Sequence, residues 1–124
     1  MTQEDKDLLL KDLCARLPYG VIINVKGVVY GNRSCRLTDI HHGLDAYITV
    51  HDGMQYHIEN IKPYLFPLSS MTEEQEKECQ QIKHSYYYDD DSFVLFDWYN
   101  KNHFDYRGLI PMGLAIDAIG KNIY

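Results

Sequence analysis

The chain has 124 residues, of which 45% are hydrophobic and 24% are charged, so its size and composition are those of one globular domain over residues 1–124. Twelve Lys and Arg against eighteen Asp and Glu give a net charge of -6. This charge disfavours duplex nucleic acid as a partner, because a phosphate backbone repels a negatively charged protein. Three cysteines without a C-x-x-C pair, and an N-terminal region without a basic or long apolar run, predict a cytoplasmic protein with no disulfide framework and no membrane association.

The first predicted element is a helix over about residues 3 to 16. Thr2 and Asp5 have the spacing of a weak capping box, and Leu9 and Leu13 recur at helical spacing. A proline and a glycine follow and end the helix.

Short β-branched runs separated by turn residues then extend over about residues 19 to 66. The clearest signal is Asp52-Gly53 between two alternating segments, which predicts a hairpin with a two-residue type I′ turn because both central residues need positive φ. In that register His51 and His57 point to opposite faces of the hairpin and do not share a metal ion. The whole region predicts a small, bent antiparallel sheet of the SH3-like or Tudor-like barrel kind.

The second subregion, about residues 72 to 124, is predicted to be helical and rich in aromatic residues. Thr72 with Gln75 matches a capping box at the start of one helix, and Ser92 can cap the next. Glycine and proline residues after Phe104 predict an irregular tail packed on the core. The predicted fold is therefore α+β, with an N-terminal helix, the bent sheet, two C-terminal helices and the irregular tail.

No enzyme motif is present in the sequence, which has no G-x-S-x-G elbow, no Cys-His signature and no glycine-rich phosphate loop. His41 and His42 are adjacent and point apart if extended, and no i, i+4 histidine pair with an acid between occurs. His103 and Asp105 form the one pair that could serve as acid and base. We therefore predict a non-enzymatic protein with no catalytic residue, no metal and no cofactor.

The aromatic residues are the unusual feature of the sequence, which contains eleven tyrosines. Three of them, Tyr86-Tyr87-Tyr88, are consecutive, and three successive side chains on a helix spread over about 200°. Some must therefore be exposed or cover another chain. Exposed tyrosines provide stacking faces for bases and contact area for proteins. The alternative is that the aromatic residues cap the small barrel.

A segment of alternating polar and aromatic residues offers groups for a phosphate or a carboxylate. An extended backbone would place His103, Asp105 and Arg107 on one face, with Arg107 as the forked donor. Asp105 could instead neutralise Arg107 in a structural ion pair. The residues predicted to bind ligand are the aromatic ones, which would stack on a base or a ribose, and the basic ones, which would meet phosphates: Tyr86, Tyr87, Trp98, Tyr99, Lys101, His103, Tyr106 and Arg107.

Three segments carry a resemblance: Lys11 to Gly20, Ile61 to Glu74, and Asp97 to Ile110. In these segments, which cover about half of the chain, the sequence resembles a family of uncharacterised small proteins carried by phages and prophages of Bacteroides-group gut bacteria. The resemblance implies a phage-borne accessory protein in the bacterial host cytosol, of a kind that often counters host defence. The segments themselves carry no known chemistry.

The leading functional hypothesis is a counter-defence protein that sequesters a small nucleotide signal. The alternative is a protein–protein interaction module that inhibits a host defence protein, and a small enzyme of unknown type is third. A homo-oligomer is expected, because a small domain forms a deep pocket most easily between subunits. The expected partners are therefore a small nucleotide ligand or a host protein, and neither duplex nucleic acid nor a membrane.

Overall fold

The structure, a computed structural model, describes residues 1–27, 31–42, 46–50, 53–85 and 92–124. Its α-helices and strands are, in chain order, α1 (Gln3–Arg16), β1 (Ile22–Gly27), β2 (Gly31–His42), β3 (Ala46–Val50), β4 (Gln55–His57), β5 (Ile61–Leu65), α2 (Glu73–Ser85), α3 (Ser92–Lys101) and β6 (Ile116–Asp117). The strands of the described residues form one curled, half-barrel sheet in the order β4-β3-β2-β1-β5-β6. The predicted mixed α+β fold, with an N-terminal helix, a small bent sheet and two further helices, is confirmed.

Local capping determines where the first two helices begin. The Thr2 hydroxyl accepts from the backbone N–H of Asp5, and the Asp5 carboxylate accepts from the backbone N–H of Thr2. The same reciprocal pair joins Thr72 and Gln75 at the start of α2. Both predicted capping boxes are confirmed. None of the helices in the described ranges has the length and apolar character needed to cross a membrane.

The centre of the sheet is the antiparallel pair β1 and β2, which runs in unbroken register from Ile22 opposite Arg36 to Gly27 opposite Gly31. Alternate residues of β1 are buried against the core, as the two-residue period of a strand requires. The pairing of β2 with β3 shifts register between Leu37 and Asp39, and such an irregularity bends a strand and increases its twist. This bend lets a short sheet curl into a half-barrel.

The hairpin of β3 and β4 has a longer connection than the sequence predicts. The N–H of Val50 donates to the carbonyl of Met54 at 3.0 Å, and the N–H of Gly53 donates to the carbonyl of Val50 at 2.9 Å. Three residues therefore separate Val50 from Met54, the residues that close the hairpin, and Gly53, with φ 78°, takes the left-handed position that such a loop needs. The predicted two-residue turn at Asp52-Gly53 is wrong by one residue.

Burial explains this register. Tyr56 lies opposite the buried Ile48 and packs against the main core, whereas His57 is exposed. The two-residue register would have placed His57 opposite Ile48 and thus turned an imidazole toward the core. In the observed register His57 shares a face of the hairpin with Thr49, whereas the two-residue turn predicts that His57 lies on the other face, with Ile48. His51 lies outside the described residues, so its separation from His57 stays a prediction.

The side chains of the described residues form two hydrophobic clusters. The main core lies between α1 and the sheet and includes Leu9 and Leu13. The second cluster belongs to the helical half and is made of buried and half-buried residues: Phe66, Met71, Cys79, Leu95, Trp98, Tyr99, Phe104 and Tyr106. The main chain joins the two regions, because the N–H of Phe66 donates to the carbonyl of His103, and the N–H of Asp105 donates to the carbonyl of Phe66, both at 2.8 Å.

Candidate binding surfaces of the helical half

A buried charged cluster joins α1 to the segment that follows α3. Asp12 and Arg16, one helical turn apart, have no exposed surface. The Arg16 guanidinium donates through Nε to Asp12 Oδ2 at 2.8 Å and through Nη2 to the carbonyl oxygen of Phe104 at 2.6 Å. Arg107 donates through Nε to the other carboxylate oxygen of Asp12, Oδ1, at 3.1 Å. One buried carboxylate therefore holds two guanidinium groups.

The partner of Arg107 is thus Asp12 rather than Asp105. The two carboxylate oxygens of Asp105, which is 7% exposed, accept from the backbone N–H groups of Leu109 and Ile110 at 2.8 and 2.9 Å. Asp105 therefore stabilises the turn that follows it. The predicted ion pair between Asp105 and Arg107 is wrong.

His103 has an unusual backbone and a covered ring. Its φ of 62° lies in the left-handed region, which residues other than glycine seldom adopt. The imidazole stacks face to face on the Tyr124 ring, with 3.7 Å between centroids. Burial, and secondarily the charge of Arg16, lowers the pKa of His103 to about 4. His103 is therefore neutral at pH 7. Because the φ of His103 is positive, the extended backbone predicted from His103 to Arg107 is wrong.

Tyr106 lies among rings and guanidinium groups. Its ring stacks on Phe96 and Tyr99, with centroid distances of 5.2 and 5.4 Å. The guanidinium carbons of Arg16 and Arg107 lie 5.4 and 4.9 Å from its centroid, and the hydroxyl accepts from Arg107 Nη2 at 3.0 Å. Two of the residues predicted to bind ligand, Tyr106 and Arg107, therefore contact each other.

The remaining residues predicted to bind ligand are divided between core and surface. Tyr99 is 7% exposed and belongs to the second hydrophobic cluster. Trp98 is half-buried, and its ring N–H donates to a carboxylate of α2 at 3.1 Å. Lys101 is exposed at the end of α3. Tyr86 and Tyr87 lie outside the described residues.

A groove along α2, with a volume of about 730 Å³, is a feature that the sequence reasoning missed. This volume is in the usual range of small-molecule sites. Its lining includes Tyr99, one of the residues predicted to bind ligand. The apolar lining residues are Leu68, Met71, Cys79 and Tyr99, and the polar ones, all from α2, are Glu73, Glu76, Lys77, Gln80, Gln81 and Lys83.

A second surface is the α3 apolar face, which consists of Phe93, Val94 and Phe96. These side chains are 72%, 38% and 42% exposed, respectively. Phe93 and Phe96 are three residues apart and are therefore neighbours on the helix surface. Clustered exposed apolar side chains are typical of interaction sites, whereas single ones are common on any protein.

Among the described residues, no group of three or more His, Cys, Asp or Glu side chains is placed to hold a metal ion. Comparison with known proteins gives no relative from which a function could be transferred: no family model, curated protein or solved structure matches the chain. The resemblance to phage-borne proteins stays a prediction.

Proposed function

We propose that this chain is a non-enzymatic binding protein that engages a protein partner through the α3 apolar face. The observation that carries the proposal is the 72% exposure of Phe93 on a helix whose Trp98 and Tyr99 side chains pack in the second hydrophobic cluster. Burying a phenylalanine side chain is worth about 1.5–3 kcal/mol, and here that free energy is released only on association. Aromatic anchors of this kind are enriched in protein interfaces.

The charges near the predicted ligand residues support a protein partner better than a nucleotide. Arg107 and Arg16 share the carboxylate of Asp12, and His103 is neutral at pH 7. A phosphate that recruited Arg107 would have to separate it from a buried carboxylate. Breaking the ion pair of Arg107 with Asp12 costs free energy, which the phosphate contact would have to offset before any net binding.

The sequence resemblance suggests the more specific form of the proposal. In that form the chain is a phage-borne protein of the host cytosol, and its partner is a host defence protein that it inhibits. Inhibition by occupying a surface requires no chemistry of the chain's own, which fits a protein without an enzyme motif. The partner then needs an apolar pocket that accepts Phe93.

Sequestration of a small nucleotide is the second candidate, and the groove along α2 is the observation that favours it. A volume of about 730 Å³ is sufficient for a nucleotide. Tyr99 and Met71 offer contact area for a base, and Lys77 and Lys83 are the cations available to its phosphates. Glu73 and Glu76 line the same groove and oppose an anion there.

Affinity capture from a host-type bacterial lysate tests the leading proposal. The wild-type chain should retain one stoichiometric protein, and Phe93→Ser should lose it because the apolar anchor is gone. Ile119→Ser is the matched control, since Ile119 is 54% exposed but lies in the tail. Equal retention by the wild type and Phe93→Ser would contradict the proposal.

A thermal-shift screen with cyclic and linear nucleotides tests the second candidate. A ligand at 100 times its Kd should stabilise the fold by about 2.7 kcal/mol. Lys83→Glu should abolish such a shift if the groove is the site. A nucleotide shift together with no captured protein would favour sequestration over protein binding, and recovery of a chemically altered nucleotide would favour an enzyme.

A further inference from the structure

The groove along α2 is bordered by a stripe of four polar residues. Glu73, Glu76, Gln80 and Lys83 follow one another at spacings of three, four and three residues, and all four are exposed. At 3.6 residues per turn this spacing confines them to about 80° of the helix circumference. We call these four residues the α2 stripe. Spacings of this kind are typical of the contact line between two paired helices.

The α2 stripe has no partner within the described part of the chain. The hydrogen bonds and ion pairs of the described residues leave Glu73, Glu76, Gln80 and Lys83 unused. Other parts of the helix circumference contact the rest of the molecule: Cys79, next to the stripe, is 3% exposed in the second hydrophobic cluster, and Glu78, opposite the stripe, accepts from the Trp98 ring N–H at 3.1 Å. The stripe is therefore a free face of a helix that is held in place on other sides.

We propose that the α2 stripe docks onto the α2 stripe of a second copy of this chain, with the two helices antiparallel. When such a pair is centred on Glu78, Glu73 of each copy faces Lys83 of the other. Glu76 then faces Gln80, and the two-fold axis repeats every contact. The rise of 1.5 Å per residue places the two ion pairs about 15 Å apart along the helix axis, so both form at once.

Charge selects this orientation. A parallel pair in the same register would bring Glu73 against Glu73 and Lys83 against Lys83, and like charges across an interface are unfavourable. The charged lining residues, Glu73, Glu76, Lys77 and Lys83, sum to zero, so the groove has no net attraction for a polyanion or a polycation. These residues are acidic toward the start of α2 and basic toward its end. A second copy in the antiparallel orientation therefore presents the opposite charge at each end of the helix.

Apolar contact adds to the ion pairs. Leu68, 41% exposed, and the half-buried Met71 precede α2 and line the groove at that end. In the antiparallel pair, each copy places Met71 level with the C-terminal end of the other copy's α2. Exposed ion pairs alone contribute little to association. The dimer should therefore be reversible and sensitive to salt.

Sedimentation equilibrium over a concentration series tests the proposal. The wild type should show a monomer–dimer equilibrium whose Kd rises with salt, because screening weakens the Glu73–Lys83 pairs. Lys83→Glu should raise the Kd about tenfold or more, since it places two acids at each end of the interface. Glu74→Lys is the matched control, because Glu74 is exposed in the same turn as Glu73 but lies off the stripe.

A mixing experiment separates charge pairing from damage to the fold. Glu73→Lys and Lys83→Glu should each dimerise poorly alone, but an equimolar mixture should form a heterodimer, because every charged pair in it is again opposite. The double variant Glu73→Lys/Lys83→Glu should also recover self-association. Recovery in both cases would support the antiparallel register.

Each of these outcomes would overturn the inference: a wild type that stays monomeric at every concentration, a mixture that does not associate, or a Glu74→Lys effect equal to that of Glu73→Lys. A nucleotide or foreign protein that fills the groove of a monomer would overturn it as well. The inference does not rest on the proposed partner of the α3 apolar face. A Phe93→Ser variant that loses its captured protein but still dimerises would leave it intact.

Discussion

At His103 the backbone and the side chain are both in unfavourable states that the surrounding structure maintains. The backbone has a left-handed φ of 62°. The side chain is a neutral imidazole whose Nδ1 is buried and has no hydrogen-bond partner among the described residues. The Tyr124 ring covers the imidazole, and the Tyr124 hydroxyl donates to the carbonyl of Tyr64 at 2.8 Å. These contacts couple a protonation equilibrium to folding.

Acidification should therefore destabilise the protein through His103. The native pKa of about 4 lies below the ordinary value of 6.5, so the unfolded chain binds the proton more tightly, and stability is lost as the pH falls from about 6.5 to about 4. For a half-buried group this amounts to about 1 kcal/mol after allowance for solvent screening. His103→Asn, whose side chain tolerates positive φ, should lack this part of the dependence.

Urea unfolding at a series of pH values measures the effect. His84→Asn, a substitution of an exposed histidine on α2, serves as the control and should keep the wild-type profile. If His103→Asn loses as much stability on acidification as the wild type does, the pH dependence comes from other groups.

Asp12 is the second residue whose role is structural in this account. Asp12→Asn should cost about 3–5 kcal/mol, because it leaves the buried Arg16 without a counter-charge. Arg107→Lys should cost about 1 kcal/mol, since the Arg107 side chain is 18% exposed and Arg16 still satisfies the carboxylate. Urea unfolding of the two variants checks this order, and equal costs would contradict it.

At the scale of elements, short-range sequence signals predict where the helices begin, but they do not predict the register of the strands. Both capping boxes lie within four residues of chain, and the structure has them as the sequence predicts. The Asp52-Gly53 pair identified the hairpin correctly, but its register follows from which of Tyr56 and His57 faces the core. That choice depends on packing against distant residues, which a turn signal does not contain.

Gly53 gives a direct check of the three-residue connection. Its φ of 78° is strained for alanine, so Gly53→Ala should cost about 1 kcal/mol, whereas Gly53→Asn should cost clearly less because asparagine adopts positive φ more readily. An alanine Cβ at this position would have no heavy atom within 4 Å beyond its chain neighbours, so crowding does not contribute. Thermal unfolding of the two variants compares the costs, and equal values would argue against the left-handed glycine.

At the scale of the whole molecule, the aromatic residues within the described ranges that suggested a ligand site, Trp98, Tyr99 and Tyr106, belong to the packing of the helical half. A run of aromatic residues in a sequence does not reveal whether they face a core or solvent. Asp12 neutralises Arg107 from 95 positions away, and no local pattern predicts such a contact. The groove along α2 escaped prediction for the same reason, because Tyr99 of α3 and Met71 before α2 meet only in the folded chain.

The same contacts assign different roles to the two halves. The sheet and α1 form the main core, and the buried Asp12 cluster fixes the segment after α3 against them. The α3 apolar face and the α2 stripe are the two surfaces of the described residues that we propose for association. In the proposed function, the protein acts through the partner surface that it covers.

Calorimetric titration of the captured partner into the wild type and three variants tests the central claim most directly. Phe93→Ser should raise the Kd about thirtyfold or more, the effect of losing an interface anchor worth about 2 kcal/mol. Arg107→Lys and Ile119→Ser should bind with the wild-type Kd. An unchanged Kd for Phe93→Ser, or a loss of binding in Arg107→Lys alone, would contradict the account and return the function to the site predicted around Arg107.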